Sequence, residues 1–386
     1  MAERLHILAL AIIITRTAAT DCSCCSSSVY SGQYAEELKA TAAAMVSTGK
    51  GLLACDESTA TVGKRLVANG MENTEINRMK WRNLLFTTPG LGEYISGCIL
   101  FEETLYQNDP SGTPFVEVLN SNGILPGIKV DTGLKPLVGG LSGEQWCTGL
   151  DSLAERAPQH YAQGARFAKW RTALKIDSIL GCPSDLALEV AALDLARYAR
   201  ICQESGLVPI VEPEVSIDGT HDVSMAQRVN ERVLNAVFAR LKECGVLLEG
   251  CILKPSMVTP GISCDDKSDP STIAKMTVEM LDRCVPSGLP GVTFLSGGIS
   301  EEDSSIYLNE INKVNRKGSY ALTFSYSRAL QSSCIKVWGG KEECYEKAQQ
   351  QLAARARANS EASKGGYSPG SQPTIEESLF VKNYVY

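Results

Sequence analysis

Residues 208–214 read VPIVEPE, an apolar run that ends in two carboxylates two positions apart. In an extended strand, residues two apart share a face, so Glu212 and Glu214 point the same way. Seven further runs have this form: 51–56 GLLACD, 97–101 GCILF, 127–131 GIKVD, 168–172 AKWRT, 250–255 GCILKP, 291–298 GVTFLSGG and 321–328 ALTFSYSR. Their starts lie about thirty to forty-five residues apart, the length of one strand plus one crossover helix. The stretches between them carry apolar residues at helical spacing. Residues 186–202 follow a Pro183-Ser184-Asp185 start that supplies a cap, and residues 223–244 are stopped by Gly245. Right-handed crossovers place every helix outside the strands, and eight such units in series close more readily than they form an open sheet. The expected fold is therefore α/β, a single (β/α)8 or TIM barrel over residues 34–358, with a flexible tail over residues 359–386 ending in Tyr386.

Composition agrees with a large globular core. The chain has 386 residues, 44% of them hydrophobic and 21% charged, a size that fits one barrel or two smaller domains. A formal net charge of −7 argues against a nucleic-acid partner. His6, His160 and His221 form no metal-ligand pattern, and no CxxC pair occurs. The scattered cysteines, among them Cys55, Cys98, Cys182 and Cys251, read as buried free thiols, and Cys22, Cys24 and Cys25 as linker residues.

Residues 1–33 form an N-terminal extension of different character. LHILALAIII, residues 5–14, is too short to span a bilayer. It reads as the apolar part of a signal or organelle-targeting segment, or as an extension on a cytosolic protein.

The ionisable residues give the barrel its purpose. A charge in a buried strand is costly unless paired or functional, yet nearly every run ends in one: Asp56, Lys129 with Asp131, Lys169 with Arg171, Glu212 with Glu214, Lys254, and Arg328. The C-terminal mouth of a barrel is where such groups belong, and a plain ion-pair plug seldom needs three lysines. A lysine held in an apolar strand beside other cations loses its proton readily and becomes a nucleophile toward a carbonyl. Lys254, between CIL and Pro255, has the most apolar neighbours, with Lys169 or Lys129 as the adjacent positive charge. Glu212 and Glu214 can then move the protons that Schiff-base chemistry requires. Ser296, Gly297 and Gly298, after the seventh run, can bring backbone N–H groups close to an anion, and Arg328 adds a bidentate partner. No GxxxxGK[ST] and no GxGxxG after a strand appears.

With these residues assembled, the sequence resembles the class I fructose-bisphosphate aldolases from about Tyr34 to Tyr386. The matching segments include GLLACDEST at 51–59, ENTEINR at 72–78, ISGCILFEETLYQ at 95–107, GARFAKWR at 164–171, LEGCILKPSMVTPG at 248–261, FLSGGISEE at 294–302 and LTFSYSRALQ at 322–331. The wording is closer to plant, algal or protist members than to vertebrate ones. The resemblance implies reversible, metal-independent and cofactor-free cleavage of D-fructose 1,6-bisphosphate to dihydroxyacetone phosphate and D-glyceraldehyde 3-phosphate. It implies Lys254 as the Schiff-base residue, Glu212 as acid/base with Glu214 as its partner, and Asp56 and Lys169 orienting the carbinolamine and the C4 hydroxyl. Tyr386 would protonate the enamine, and Lys129 and Arg171 would join the substrate contacts. One phosphate would meet Ser296, Gly297, Gly298, Ser325 and Arg328, and the other end Ser58 and Arg65. A homotetramer in the cytoplasm is implied, with a plastid as the alternative if residues 1–33 are a targeting segment. The alternative role is a scaffold with cytoskeletal or adhesion partners. The sequence departs from the family's usual pattern at Ala60, Thr61, Thr132 and Ser327. Ser327 stands where a Gly or Ala is usual, beside Ser325 and Arg328, so phosphate affinity is the property it bears on.

Overall fold

A computed structural model describes residues 28–374 and 378–381. The N-terminal apolar run, Cys22, Cys24, Cys25 and Tyr386 lie outside the described residues. Ten strands occur among them: β1 Gly51–Cys55, β2 Ile95–Leu100, β3 Leu125–Lys129, β4 Gly133–Pro136, β5 Gln145–Thr148, β6 Phe167–Leu174, β7 Val208–Val215, β8 Ile252–Leu253, β9 Gly291–Phe294 and β10 Ala321–Tyr326. Eight of these close into a parallel barrel in the order β1-β2-β3-β6-β7-β8-β9-β10, and β10 pairs with β1. Each run read from the sequence supplies one barrel strand. Several strands stop early, so Asp56, Asp131, Lys254, Ser296 and Arg328 stand just past the strand ends.

The sequence reading had no counterpart for the antiparallel hairpin β4–β5, which pairs Gly133 with Thr148 and Pro136 with Gln145 between β3 and β6. Its strands are four residues long and only Cys147 is buried, too little for apolar alternation to mark them. The tail also begins later than residue 359. The last helix runs Tyr345–Ala362 and buries Asn359 completely, with its side chain bonded to Ser305 and to the Arg355 carbonyl. A polar composition resembling a linker is here the buried polar face of a helix.

The expected helices are present. Asp185–Glu204 is capped by Ser184, whose hydroxyl accepts from the Ala187 N–H, and Val223–Glu243 by Asp222. Gly245 takes φ +66 just after the second of these, a conformation only glycine adopts freely. Among the described residues no helix is long and apolar enough to cross a membrane, and every cysteine is a free thiol.

Packing separates into two apolar bodies. Leu53, Cys55, Cys98, Leu100 and Trp170 face outward to the helices, whereas Leu52, Ala54, Ile99, Phe167, Val208, Ile210 and Ile252 fill the lower barrel. The helix Ala35–Met45 closes the barrel floor, with Leu38, Ala42 and Met45 in the same inner cluster. Phe167 fits because Gly97 and Gly127 carry no side chain: a Cβ on Gly127 would lie 2.1 Å from its ring. Gly127→Ala therefore destabilises the fold by ~1–3 kcal/mol through overpacking, and Phe167→Leu in the same chain recovers part of the loss. Denaturant midpoints of the single and double variants check this, and an unchanged midpoint in Gly127→Ala would count against the packing argument.

Candidate active site

Above the apolar layer the inward rows of β1, β3, β6, β7 and β8, or the residues just after them, change to ionisable residues. Lys169 and Arg171 continue the row begun by Phe167, and Glu212 and Glu214 continue that of Val208 and Ile210. Strand register sets Lys129 opposite Lys169 and Arg171 opposite Glu212. The side chains then meet across the mouth. Lys169 Nζ lies 2.9 Å from Asp56 Oδ2 and 3.0 Å from Glu212 Oε2, and Lys254 Nζ lies 3.3 Å from Glu212 Oε1. All four groups are buried.

Burial and neighbours shift these groups in different directions. Burial lowers the Lys254 ammonium below its ordinary value; Glu212 opposes this, and the nearby charge of Lys169 adds to it. Burial pushes the Asp56 carboxyl up, but the Lys169 and Lys254 ammonium groups outweigh it, taking Asp56 from 3.8 to about 2. Glu214 is likewise pushed up by burial and brought below its ordinary value by Arg171, to which it is bonded. Of the two lysines expected beside Lys254, Lys169 shares its carboxylate. Lys129 pairs instead with Asp131 at 3.1 Å and sits 5.8 Å from the Phe101 ring centroid.

A cavity of about 750 Å³ opens over these groups, lined by Arg171, Glu212, Glu214 and Lys254 on one side. Its other wall is formed by Ser296, Gly297, Ser325, Ser327 and Arg328. Gly297 and Gly298 take φ +54 and +100, a conformation that residues with side chains rarely adopt, and Gly297 lines the cavity while Gly298 packs against Phe380. The Ser325 hydroxyl is buried there without a protein partner, which suits a ligand acceptor. Arg328 opens the helix Arg328–Trp338, and its guanidinium donates to the Leu379 carbonyl. Phe380 and Val381 line the same cavity, so residues 379–381 lie over this end.

Two expected contacts are placed differently. Ser58 caps the helix Thr59–Ala68 by accepting from the Thr61 N–H. Arg65 stands seven residues along that helix, about 10 Å away by helical rise, with Nη1 2.5 Å from Glu57 Oε1 and 3.1 Å from Ser327 Oγ. Its side chain reaches back along the helix, so the guanidinium lies between Glu57, the residue before Ser58, and Ser327, the residue before Arg328. Asp56, Ser58, Arg65, Lys129, Lys169 and Gly298 do not line the cavity, Asp56 and Lys169 meeting it only through Glu212 and Lys254.

Glu57 is the residue the sequence reading missed. It is fully buried and bonded to Arg65, Arg82 and Ser327. Burial pushes its carboxyl up, and the two guanidinium groups hold it below its ordinary value. The signal was the consecutive pair Asp56-Glu57 at a strand end, since neighbouring residues point to opposite sides. Among the described residues, no group of three His, Cys, Asp or Glu could hold a metal ion.

Because Asp56 is held low, its stabilising contribution is complete above 3.8 and is lost as pH falls toward about 2. In Lys169→Met the cation between Asp56 and Glu212 is gone and the Asp56 carboxyl rises. The expected result is a shallower loss of thermal midpoint than in wild type as pH falls from 3.8 toward about 2, because Lys254 and Lys129 are then the only lysines holding Asp56 down. Parallel profiles of midpoint against pH for the two proteins would refute the shared-cation reading.

Comparison with known proteins matches this geometry. The family model for class I fructose-bisphosphate aldolase matches residues 37–386. The chain is 54% identical over 352 residues to fructose-bisphosphate aldolase 4, cytosolic, of Arabidopsis thaliana, covering 91% of this chain and 89% of that protein. It is 53% identical over 358 residues to fructose-bisphosphate aldolase 1 of Toxoplasma gondii, covering 92% and 98%, and 50% identical over 359 residues to a chloroplastic aldolase of Oryza sativa subsp. japonica, covering 93% and 91%. Among solved structures, fructose-bisphosphate aldolase from Plasmodium falciparum, in complex with TRAP and a small-molecule inhibitor, superimposes with a TM-score of 0.87 at 50% identity, covering 90% of this chain and 99% of that one. The closed parallel barrel, the lysines and carboxylates at its mouth and this similarity over nearly its whole length agree: the chain belongs to the class I fructose-bisphosphate aldolase family.

Proposed function

We propose that the chain carries out its family's aldehyde-lyase reaction, reversible cleavage of D-fructose 1,6-bisphosphate, through a Schiff base on Lys254. The observation that carries this reading is the buried contact of Lys254 with Glu212, 3.3 Å apart, with the ammonium lowered by burial. The neutral amine adds to the C2 ketone of the open-chain sugar, and Glu212 supplies the proton with which water leaves. The resulting iminium draws the electrons of the C3–C4 bond as a carboxylate takes the C4 hydroxyl proton. D-Glyceraldehyde 3-phosphate departs first. Protonation of the enamine and hydrolysis then free dihydroxyacetone phosphate and regenerate the Lys254 amine.

The remaining roles rest on the resemblance. Lys169 and Asp56 orient the carbinolamine and the C4 hydroxyl. Ser296, Gly297, Gly298, Ser325 and Arg328 take one phosphate, with Arg65 behind them, while Lys129, Arg171 and Ser58 serve the other end of the substrate. Tyr386 is assigned protonation of the enamine by resemblance. The same resemblance supports a homotetramer, which sedimentation velocity would test. The relatives are both cytosolic and chloroplastic, and the reading adopted is the cytoplasm, with a plastid as the alternative. The P. falciparum aldolase solved with TRAP supports a second, binding role; a pull-down that fails to survive saturating fructose 1,6-bisphosphate would exclude one independent of the active site.

Borohydride reduction in the presence of dihydroxyacetone phosphate and EDTA should leave a stable triose-phosphate adduct on Lys254, located by peptide mass spectrometry. Lys254→Met should form none and lose turnover while keeping its circular dichroism. An adduct on another lysine, or full activity in Lys254→Met, would remove Lys254 from this role. Deleting Tyr386 should slow proton exchange on dihydroxyacetone phosphate far more than it weakens substrate binding; equal losses would make the terminal residue structural.

A further inference from the structure

Ser327 stands between Ser325, near the end of β10, and Arg328, the first residue of the next helix, and it lines the cavity with both. Its backbone makes the turn from strand to helix at φ −108 and ψ −86. Its hydroxyl donates to Glu57 Oε1 and accepts from Arg65 Nη1 at 3.1 Å, with Gln331 Nε2 at 3.4 Å. One hydroxyl proton and two lone pairs are thereby matched by three partners. The main partner cannot easily move: Glu57 is fully buried and held by Arg82 at 2.7 Å and Arg65 at 2.5 Å. A hydrogen bond to such a charge is among the stronger ones a hydroxyl can make.

The place of this bond matters. β1 and β10 close the barrel through two registered pairs, Leu52 with Ser325 and Leu53 with Tyr326. Glu57 follows β1 and Ser327 follows β10, so their hydrogen bond continues the seam upward into the mouth after the ladder has ended. The same hydroxyl ties in the helix Thr59–Ala68 through Arg65 and the helix Arg328–Trp338 through Gln331.

We propose that Ser327 is a positioning residue for phosphate. Its hydroxyl, anchored on Glu57, fixes the turn that carries Ser325 and Arg328 and holds Arg65 beside them. This rests on the assignment of Ser325 and Arg328 to a phosphate group of the substrate. Ser327→Ala removes three hydrogen bonds without adding bulk, and Ser327→Thr keeps the hydroxyl.

Inorganic phosphate binding to the unreacted enzyme, followed by calorimetry, should weaken about fivefold in Ser327→Ala, the size expected for losing an orienting hydrogen bond. KM for fructose 1,6-bisphosphate should rise by a similar factor while kcat stays within about twofold, and Ser327→Thr should restore both. Should the alanine variant not fold, Ser327→Gly serves with the same expected losses. Unchanged phosphate affinity in a folded variant, or a fall in kcat and thermal midpoint without a change in phosphate affinity, would overturn the proposal. Phosphate binding does not require Lys254, so the trapping experiment can fail while this one succeeds. If the wild-type protein itself binds no phosphate, the assignment of this end of the cavity falls, and the role of Ser327 with it.

Discussion

Lys169 is held between two carboxylates, Asp56 at 2.9 Å and Glu212 at 3.0 Å, where water does not reach. Lys254 takes the other oxygen of Glu212. These two cations and two anions come from four barrel strands or the residues just after them, so the charges are balanced only if the barrel is closed and in register. Removing one member of a buried pair typically costs about 3–5 kcal/mol because its partner remains charged without water. The apolar lower layer makes this arrangement possible. Phe167, set into the space left by Gly97 and Gly127, and the floor helix Ala35–Met45 exclude solvent from beneath the charges. Packing below and ion pairing above are therefore one design, and the strand period of two assigns each residue to its layer.

A second ionic cluster, centred on Glu57, does for the barrel seam what the first does for its centre. Asp56 and Glu57 are consecutive, yet Asp56 turns to Lys169 while Glu57 turns to Arg65, Arg82 and Ser327. One residue pair at the end of β1 thus serves the site proper and its outer support. Buried ion pairs are poor general stabilisers, since desolvation offsets much of the attraction. Their value lies in geometry: with both carboxylates clamped, the end of β1 has little freedom to move relative to β10 or β6.

The barrel was legible because every strand shows an apolar run and most also show an ionisable residue at the end of it. Lys254, Glu212, Lys169 and Asp56 could be named from that pattern, although which lysine stands beside Lys254 could not, because the choice depends on how far each side chain reaches across the mouth. The hairpin β4–β5 was not visible, since strands of four residues with only Cys147 buried carry no periodic signal. Nor was the burial of Asn359, whose polar side chain suggests a linker until Ser305 and Arg355 are seen around it. Arg65 was named by resemblance, and its pairing with Glu57 and Ser327 depends on a side chain that reaches back along its helix to the end of β1 and across to the end of β10. In each case what sequence could not supply was a distance between elements far apart in the chain.

The sharing of Glu212 also bears on how Lys254 can lose its proton. If the proton leaves the site altogether, Asp56 and Glu212 are left with Lys169 as their nearest cation, an excess of negative charge in a buried place. If it passes instead to Glu212 across the 3.3 Å contact, Lys169 and Asp56 remain a complete ion pair and Lys254 with Glu212 becomes a neutral pair. No charge is then left without a partner, so the low effective dielectric that penalises the first route does not oppose the second. In the Schiff-base reaction proposed above, that route would leave the amine nucleophilic and Glu212 with a proton for dehydration of the carbinolamine. The geometry behind this choice of route is that Glu212 contacts two lysines, of which Lys169 is also held by Asp56 and Lys254 is not.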